Sequence, residues 1–247
     1  MICIWPPLRA RISLGPVMAK MFLQRPPRRR IARNALGVIV ALLLITAARP
    51  GAAHPHSWVD VEVEIAFDKA GKVSGLKQSW IFDEAYTAYV AIKPARGSTK
   101  PPDAKRLAEV AREMMTNLRE FNYFTRVERE GKLIETTNVT EATAILRGAR
   151  LVVNFLLPLA TAADVRDKPL TYAIFDPTYF VEMVHVDPVK SIRLLDAPAG
   201  CAARLRPPQP DPALAARAQA LDRTESGGNE LGGAFAEKVT IRCGAQP

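Results

Sequence analysis

Several motifs and residue types are missing or scarce in this chain of 247 residues. There is no GxSxG, HExxH or phosphate-binding P-loop pattern, so nothing favours a hydrolase, and we expect a protein that is not an enzyme. The three cysteines include no CxxC pair, which argues against a cysteine-based metal site. The sequence also contains only three histidines, so each of them deserves a separate interpretation.

Acidic residues are absent from residues 1–53, which carry nine lysine or arginine side chains. The basic cluster is followed by an apolar run from Ala35 to Ile45 and then by small residues up to Ala53. This order is typical of a signal peptide, and the run is too short to span a bilayer comfortably. Met18 or Met21 is an alternative translation start, because the residues before them add nothing that a signal needs.

The positive charge of the chain belongs to this leader. The whole sequence has 34 basic and 25 acidic residues, and removal of the nine leader cations leaves 25 of each sign. No basic stripe with interleaved aromatic residues remains, so nucleic-acid binding is not expected. We therefore expect residues 54–247 to form a single periplasmic domain that does not span the membrane.

Two cysteines, Cys201 and Cys243, remain after removal of the leader. An even pair in an exported chain predicts a disulfide, which would stabilise the fold by about 4 kcal/mol in the chain-entropy model. The alternative is a pair of buried free thiols. Between these cysteines, Pro- and Gly-rich segments flank a short Ala-rich helical stretch, and we expect a flexible insert near 206–233.

Hydrophobic periodicity predicts an α+β fold with a mainly antiparallel sheet. Residues Trp58 to Ile65 alternate apolar and polar side chains, as in a strand with one wet face. A turn follows, and the pattern predicts further strands over 73–82, 123–130, 132–136, 140–147, 151–157, 170–175, 180–186, 191–195 and 237–243.

One principal helix is expected to cover a face of this sheet. Asp103 is its predicted N-cap. Its predicted core stripe has helical spacing: Leu107, Val110, Met114, Leu118 and Phe121.

The histidines offer candidate metal ligands. His54 and His56 flank Pro55 at the predicted mature N-terminus, and a continued pleat would place Asp60 and Glu62 on the same face. Imidazole favours zinc, copper and nickel, and carboxylates can complete such a shell. Pro55 has no N–H, so an amide-based copper or nickel site is excluded. The amine and imidazole of His54, with His56, could still form a histidine brace; a polar, disordered N-terminus is the alternative.

The acidic candidates are Asp83, Glu84 and Asp176, each of which follows a predicted strand. Their alternative role is in turns, because Asp before Pro commonly opens one. His185 and Asp187 form an H-x-D pair, but a lone strand histidine is more often structural than a ligand.

Five segments together resemble a bacterial family, the domain-of-unknown-function family numbered 1007. They are Ala53 to His56, Trp80 to Glu84, Asn117 to Thr125, Phe175 to Tyr179 and Ala197 to Cys201. The resemblance covers nearly all of the mature chain and implies an accessory of nickel, cobalt or zinc permeases. By motif it implies His54, His56, Asp83, Glu84 and Asp176 as metal-site candidates, whereas His185 lies outside these motifs.

This chain departs from the family pattern at one place. Many members carry an acidic, calcium-loop-like insert before the helix, but residues 93–100 contain no carboxylate here. No permease segment follows the domain, so an inner-membrane metal permease is expected as a separate partner.

Two other interpretations remain open beside metal delivery. One is an envelope interaction or structural module in which His54 and His56 are incidental. The other is a copper enzyme with a histidine brace at His54, which would need an aromatic-rich substrate face, although aromatic residues are only 7% of the chain.

The leader generates a direct prediction: signal peptidase should cut after Ala53. N-terminal sequencing of the exported protein should therefore begin His-Pro-His. An exported protein that still contains Ala35 to Ile45 would contradict the prediction.

Overall fold

The computed structural model describes residues 55–92, 102–221, 225–228 and 231–244. In chain order its strands are β1 (Ser57–Phe67), β2 (Val73–Phe82), β3 (Thr125–Arg129), β4 (Lys132–Leu133), β5 (Ala142–Arg147), β6 (Arg150–Ala163), β7 (Leu170–Ile174), β8 (Val181–Val184), β9 (Ile192–Leu195), β10 (Cys201–Arg206) and β11 (Lys238–Cys243). The helices are α1 (Glu84–Ile92), α2 (Ala104–Leu118), α3 (Pro212–Ala220) and α4 (Leu231–Ala234), with a 3-10 helix at Arg119–Phe124.

The alternating segment at the start of the domain forms β1, as predicted, and every second side chain of it is buried. Its turn to β2 is shaped by Asp68, whose carboxylate accepts the backbone N–H of Ala70 and of Lys72. Gly71 lies in this turn at φ +71°, and a Cβ there would lie 2.7 Å from Pro198. Glycine is required at this position both by the backbone conformation and by the close approach of Pro198.

The first sheet has the strand order β5-β6-β2-β1-β8, and β9 also pairs with β1. The prediction of a mainly antiparallel α+β fold is confirmed. Two pairings are nevertheless parallel. Strand β8 pairs with the first half of β1, and β9 pairs with the second half. The chain reaches β8 from the second sheet and not through a hairpin, so strand direction could not be read from local turns.

The second sheet has the order β10-β11-β7-β3-β4, with antiparallel pairing throughout. Strand β4 is shorter than predicted because the following residues leave for the first sheet. Thr136 forms a bridge with Leu159, and the N–H of Thr137 donates to the carbonyl of Pro158. Strand β10 and helix α1 were not predicted from the sequence.

A single cluster of buried apolar residues includes side chains of both sheets and of α2. Helix α2 begins as predicted, since the Asp103 carboxylate accepts the N–H of Arg106 at 2.8 Å. The predicted stripe is correct at Leu107 and Val110 but wrong at its end, where Phe121 is 49% exposed. The α-helix stops at Leu118, and the 3-10 segment that follows is kinked from Phe121 to Tyr123, which carries Phe121 out of the stripe.

Cys201 and Cys243 are opposite each other in the β10–β11 ladder and form the predicted disulfide. The bridge therefore closes the segment that contains α3 and α4. Residues Ala218 and Leu231 of these helices are buried, and the predicted flexibility of the insert remains a prediction.

Within the described ranges, no helix combines the length and the apolar character needed to cross a membrane.

Candidate functional site

His56 lies immediately before β1 with its side chain exposed. Its backbone N–H donates to the carbonyl of Phe180 at 2.8 Å. The imidazole stacks on the ring of Phe180, with 5.3 Å between ring centroids and 24° between planes. His54 lies outside the described residues. The structure therefore fixes the position of one of the two predicted imidazole ligands.

Asp83 ties the start of β1 to the end of β2. One carboxylate oxygen accepts the Ser57 hydroxyl at 2.6 Å and the Trp58 N–H at 3.0 Å. The other oxygen accepts the Tyr86 N–H at 2.8 Å, so Asp83 also caps α1. Burial acts to raise the pKa of the Asp83 carboxyl, but these hydrogen bonds outweigh it and hold the pKa below its usual value.

Asp176 is 5% exposed and shapes the loop between β7 and β8. One oxygen accepts the N–H of Thr178 at 2.9 Å and the hydroxyl of the same residue at 2.7 Å. The other oxygen accepts the N–H groups of Phe180 and Val181, both at 3.1 Å. An ionised carboxylate offers about four lone-pair sites. All of them are engaged here, so Asp176 has no free lone pair for a metal.

Glu84 is the remaining acidic candidate. It is exposed in the first turn of α1 and makes no hydrogen bond or ion pair to another described residue. Its oxygens are therefore available, in contrast to those of Asp83 and Asp176.

The predicted pleated face extends through Asp60 and Glu62. Asp60 is bound by Arg150, whose guanidinium lies 2.6 Å from the carboxylate.

The structure brings most of the predicted residues to the same end of β1. Asp83 holds the two residues that follow His56, and Asp176 holds Phe180, on which the imidazole of His56 stacks. No group of three or more His, Cys, Asp or Glu side chains in the described part of the chain is placed to hold a metal.

His185 belongs to a buried network that the sequence did not reveal. Its Nδ1 lies 2.8 Å from the carboxylate of Glu237, and its Nε2 lies 3.2 Å from the hydroxyl of Tyr172. Glu237 also accepts the His185 backbone N–H. Burial, and then the charge of Glu237, raises the pKa of Tyr172. His185 is a satisfied core histidine that joins the two sheets, which agrees with the structural interpretation of the isolated histidine.

No sequence signal pointed to Glu237 as its partner, because 52 positions separate the two residues. Asp187 of the H-x-D pair has a different role, because its carboxylate accepts the N–H groups of Val189 and Lys190 in a turn.

The fold and the site define an α+β domain of two sheets whose candidate residues surround the start of β1. The model of the family described as "Protein of unknown function (DUF1007)" matches residues 39–243, and the chain belongs to this family. An uncharacterized protein of Haemophilus influenzae is 24% identical over 194 residues, which cover 77% of this chain and 91% of the relative. An uncharacterized 15.5 kDa protein in the trpE 3' region of Spirochaeta aurantia is 30% identical over 82 residues. That match covers 33% of this chain and 58% of the relative.

The four hydrogen bonds of Asp176 generate a stability prediction. The change Asp176→Asn replaces one acceptor oxygen with an NH₂ donor that faces N–H or O–H groups. We expect a loss of about 1–3 kcal/mol in the free energy of unfolding, the usual cost of unpaired buried donors. Urea denaturation measures this loss, with the exposed Asp167→Asn as the matched control. Equal midpoints for both variants and wild type would contradict the assigned role.

The depressed pKa of Asp83 generates a prediction about pH. Its stabilising contribution is present above the ordinary aspartate pKa of about 3.9 and is lost as pH falls through the lower folded-state pKa. We expect Asp83→Ala to cost about 1–2 kcal/mol at neutral pH, and this difference from wild type to shrink below about pH 4. Denaturation curves between neutral and acidic pH measure it, and Glu84→Gln is the control. A difference that grows on acidification would refute the account.

Proposed function

We propose that this protein is a periplasmic accessory that binds a divalent transition metal and delivers it to an inner-membrane transporter. The observation that carries the proposal is the position of His56. His56 lies two residues after His54 in the sequence. Its imidazole is exposed and stacks on the ring of Phe180. A histidine that is fixed in position but open to solvent can accept a metal with little reorganisation.

The hydrogen bonds of the carboxylates refine the proposed ligand set. Asp176 has every lone pair engaged, and Asp83 has three accepted hydrogen bonds, so at most one of its sites is free. We therefore assign these two residues to positioning: Asp83 fixes the start of β1, and Asp176 fixes Phe180. The ligands we propose are His54 and His56, with Glu84 as the carboxylate whose oxygens are available.

The basic leader supports the proposed location, since a cleaved signal would place His54 at the mature N-terminus. The nature of the metal follows from the donors: imidazole with an amine or carboxylate suits zinc, nickel, cobalt or copper.

A non-metal interaction module of the envelope is the second candidate. The stacking of His56 on Phe180 favours it, because that contact gives the imidazole a packing role without any ligand. A brace-type copper enzyme would differ from both in its requirement for the free amine of His54.

The experiment is calorimetric titration of zinc, nickel and copper into mature protein that begins at His54. We expect His54→Ala and His56→Ala each to weaken binding by more than about tenfold, since even outer-shell changes at metal sites have effects of that size. Because protons compete with metal for imidazole, affinity should also fall on acidification.

Two further proteins complete the experiment. A form with one extra residue before His54 should lose copper affinity specifically if the amine is a ligand. Loss in both histidine variants but not in the extended form would indicate an ordinary side-chain site. Equal affinity in wild type, both variants and the extended form would reject metal binding at this site and leave the interaction module as the better proposal.

A further inference from the structure

A second concave site lies on the second sheet and includes neither His56 nor Glu84. It is a half-open cleft of about 630 Å³ between the 3-10 helix, β3, β4 and the loop after β7. Its volume is in the range of small-molecule sites, roughly 300–1,000 Å³. The apolar residues that line it are Leu118, Phe121, Phe124, Leu133, Phe175 and Pro177.

The aromatic wall of the cleft is built on an unusual backbone. Asn122, Tyr123 and Phe124 have φ values of 49°, 50° and 52°, three consecutive non-glycine residues in the left-handed region. This conformation costs an L-residue roughly 1–2 kcal/mol. Such backbone persists only where surrounding structure enforces it, and it is concentrated at binding and catalytic sites.

Side-chain hydrogen bonds hold this segment in place. Asn122 donates its amide to the carbonyl of Thr125 and accepts the hydroxyl of Thr136. The Tyr123 hydroxyl accepts the N–H of Val139 at 3.0 Å. These hydrogen bonds connect the strained turn, and with it the cleft wall, to Thr125, Thr136 and Val139.

A buried polar chain supports the same turn from beneath. The indole N–H of Trp80 donates to Gln78 at 2.9 Å, and the Gln78 amide donates to the Thr125 hydroxyl at 3.0 Å. That hydroxyl donates to the carbonyl of Tyr123 at 2.9 Å. Each link is satisfied, so the wall is preorganised, which lowers the entropic cost of binding.

One cation, Arg126, lines the cleft, and its side chain is 43% exposed. The guanidinium of Arg126 lies 5.6 Å from the centroid of the Phe175 ring, and its Nε lies 3.8 Å from Glu128. Arg126 and Phe175 also line a smaller adjoining cavity of about 190 Å³, so they separate the two spaces.

Two acidic residues, Glu120 and Asp176, also line the cleft, and neither forms an ion pair with Arg126. Asp176 is engaged with its own loop, and Glu120 is exposed without a bond to another described residue that would hold its carboxylate in place. Arg126 is therefore the cation of the lining that can pair with an anionic group of a ligand.

The rim of the cleft exposes apolar surface that a ligand would cover. Phe121 is 49% exposed and Leu133 is 67% exposed. Apolar surface that borders a concave site with a fixed charge is typical of a binding surface.

We propose that this cleft binds a small amphiphilic organic anion. The aromatic or aliphatic body of the ligand packs among Phe121, Phe124 and Phe175, and its carboxylate or sulfonate pairs with Arg126. The site is separate from the proposed metal ligands, and the two proposals can fail independently.

Two matched dyes test the proposal on the mature protein, which begins at His54. Anilinonaphthalene sulfonate carries an anionic group on an aromatic body, whereas N-phenyl-1-naphthylamine has the same body without the charge. Fluorescence titration of both dyes separates the apolar contribution from the ionic one. Phe121→Ser combined with Leu133→Ser should weaken both dyes by about tenfold, because it removes the apolar rim.

The charge variants give the sharper result. Arg126→Gln should weaken the sulfonate dye by about tenfold and leave the neutral dye within about twofold. Glu120→Gln should not weaken the sulfonate dye. The control for the apolar rim is Ile145→Ser combined with Leu156→Ser, because these side chains are 48% and 46% exposed, close to the 49% of Phe121. The control for the charge variants is Arg147→Gln at an exposed position of the first sheet.

Two results would overturn the proposal. If the control variants lose as much dye binding as the cleft variants, the dyes do not report on this cleft. If Arg126→Gln leaves the sulfonate dye unchanged, or weakens both dyes equally, Arg126 does not bind an anionic group. An unchanged unfolding midpoint in each variant excludes loss of the fold as the cause.

Discussion

The arrangement of the candidate site depends on one buried carboxylate, that of Asp176. An ionised carboxylate is costly to bury unless hydrogen bonds replace its water. Here three backbone N–H groups and one hydroxyl supply that replacement, all from the next five residues of the chain. These hydrogen bonds hold the whole loop in place. Its first residues, Pro177 and Thr178, line the apolar cleft, and Phe180 further along supports His56. The same loop packs closely on α4, where a Cβ at Gly232 would overlap the Asp176 carbonyl.

Asp83 has the complementary role on the other side of β1. It holds Ser57 and Trp58, directly after His56, and caps the helix that follows β2. Two aspartates therefore determine where β1 begins, one directly after β2 and one in the loop before β8. Parallel pairing of β8 with this part of β1 brings the two together, since Ser57 is opposite Val181 in the ladder.

Local patterns predicted local structure well. The alternation in Trp58 to Ile65 predicted β1, the polar side chain of Asp103 predicted the start of α2, and the pair Cys201–Cys243 predicted the disulfide. Features that depend on distant residues were not predictable in this way. The parallel partners of β1 and the Glu237 partner of His185 are set by tertiary packing, which leaves no periodicity in a single sequence. The Asp176 motif identified an important residue, but it could not show whether the carboxylate serves a metal or its own loop.

The hydrogen-bond count of each carboxylate resolves part of that ambiguity. A metal ligand must offer a lone pair without leaving buried donors unsatisfied, and a donor without a partner costs about as much as a lost hydrogen bond or more. Recruiting Asp176 to a metal would release donors from Thr178, Phe180 or Val181 and would disturb the support of His56. Glu84 carries no such cost, because its side chain is exposed and holds no described residue in place. The physical division at this end of β1 is thus between aspartates whose hydrogen bonds build the scaffold and side chains that are exposed to solvent. A metal site here would draw its ligands from the exposed group and its geometry from the buried one.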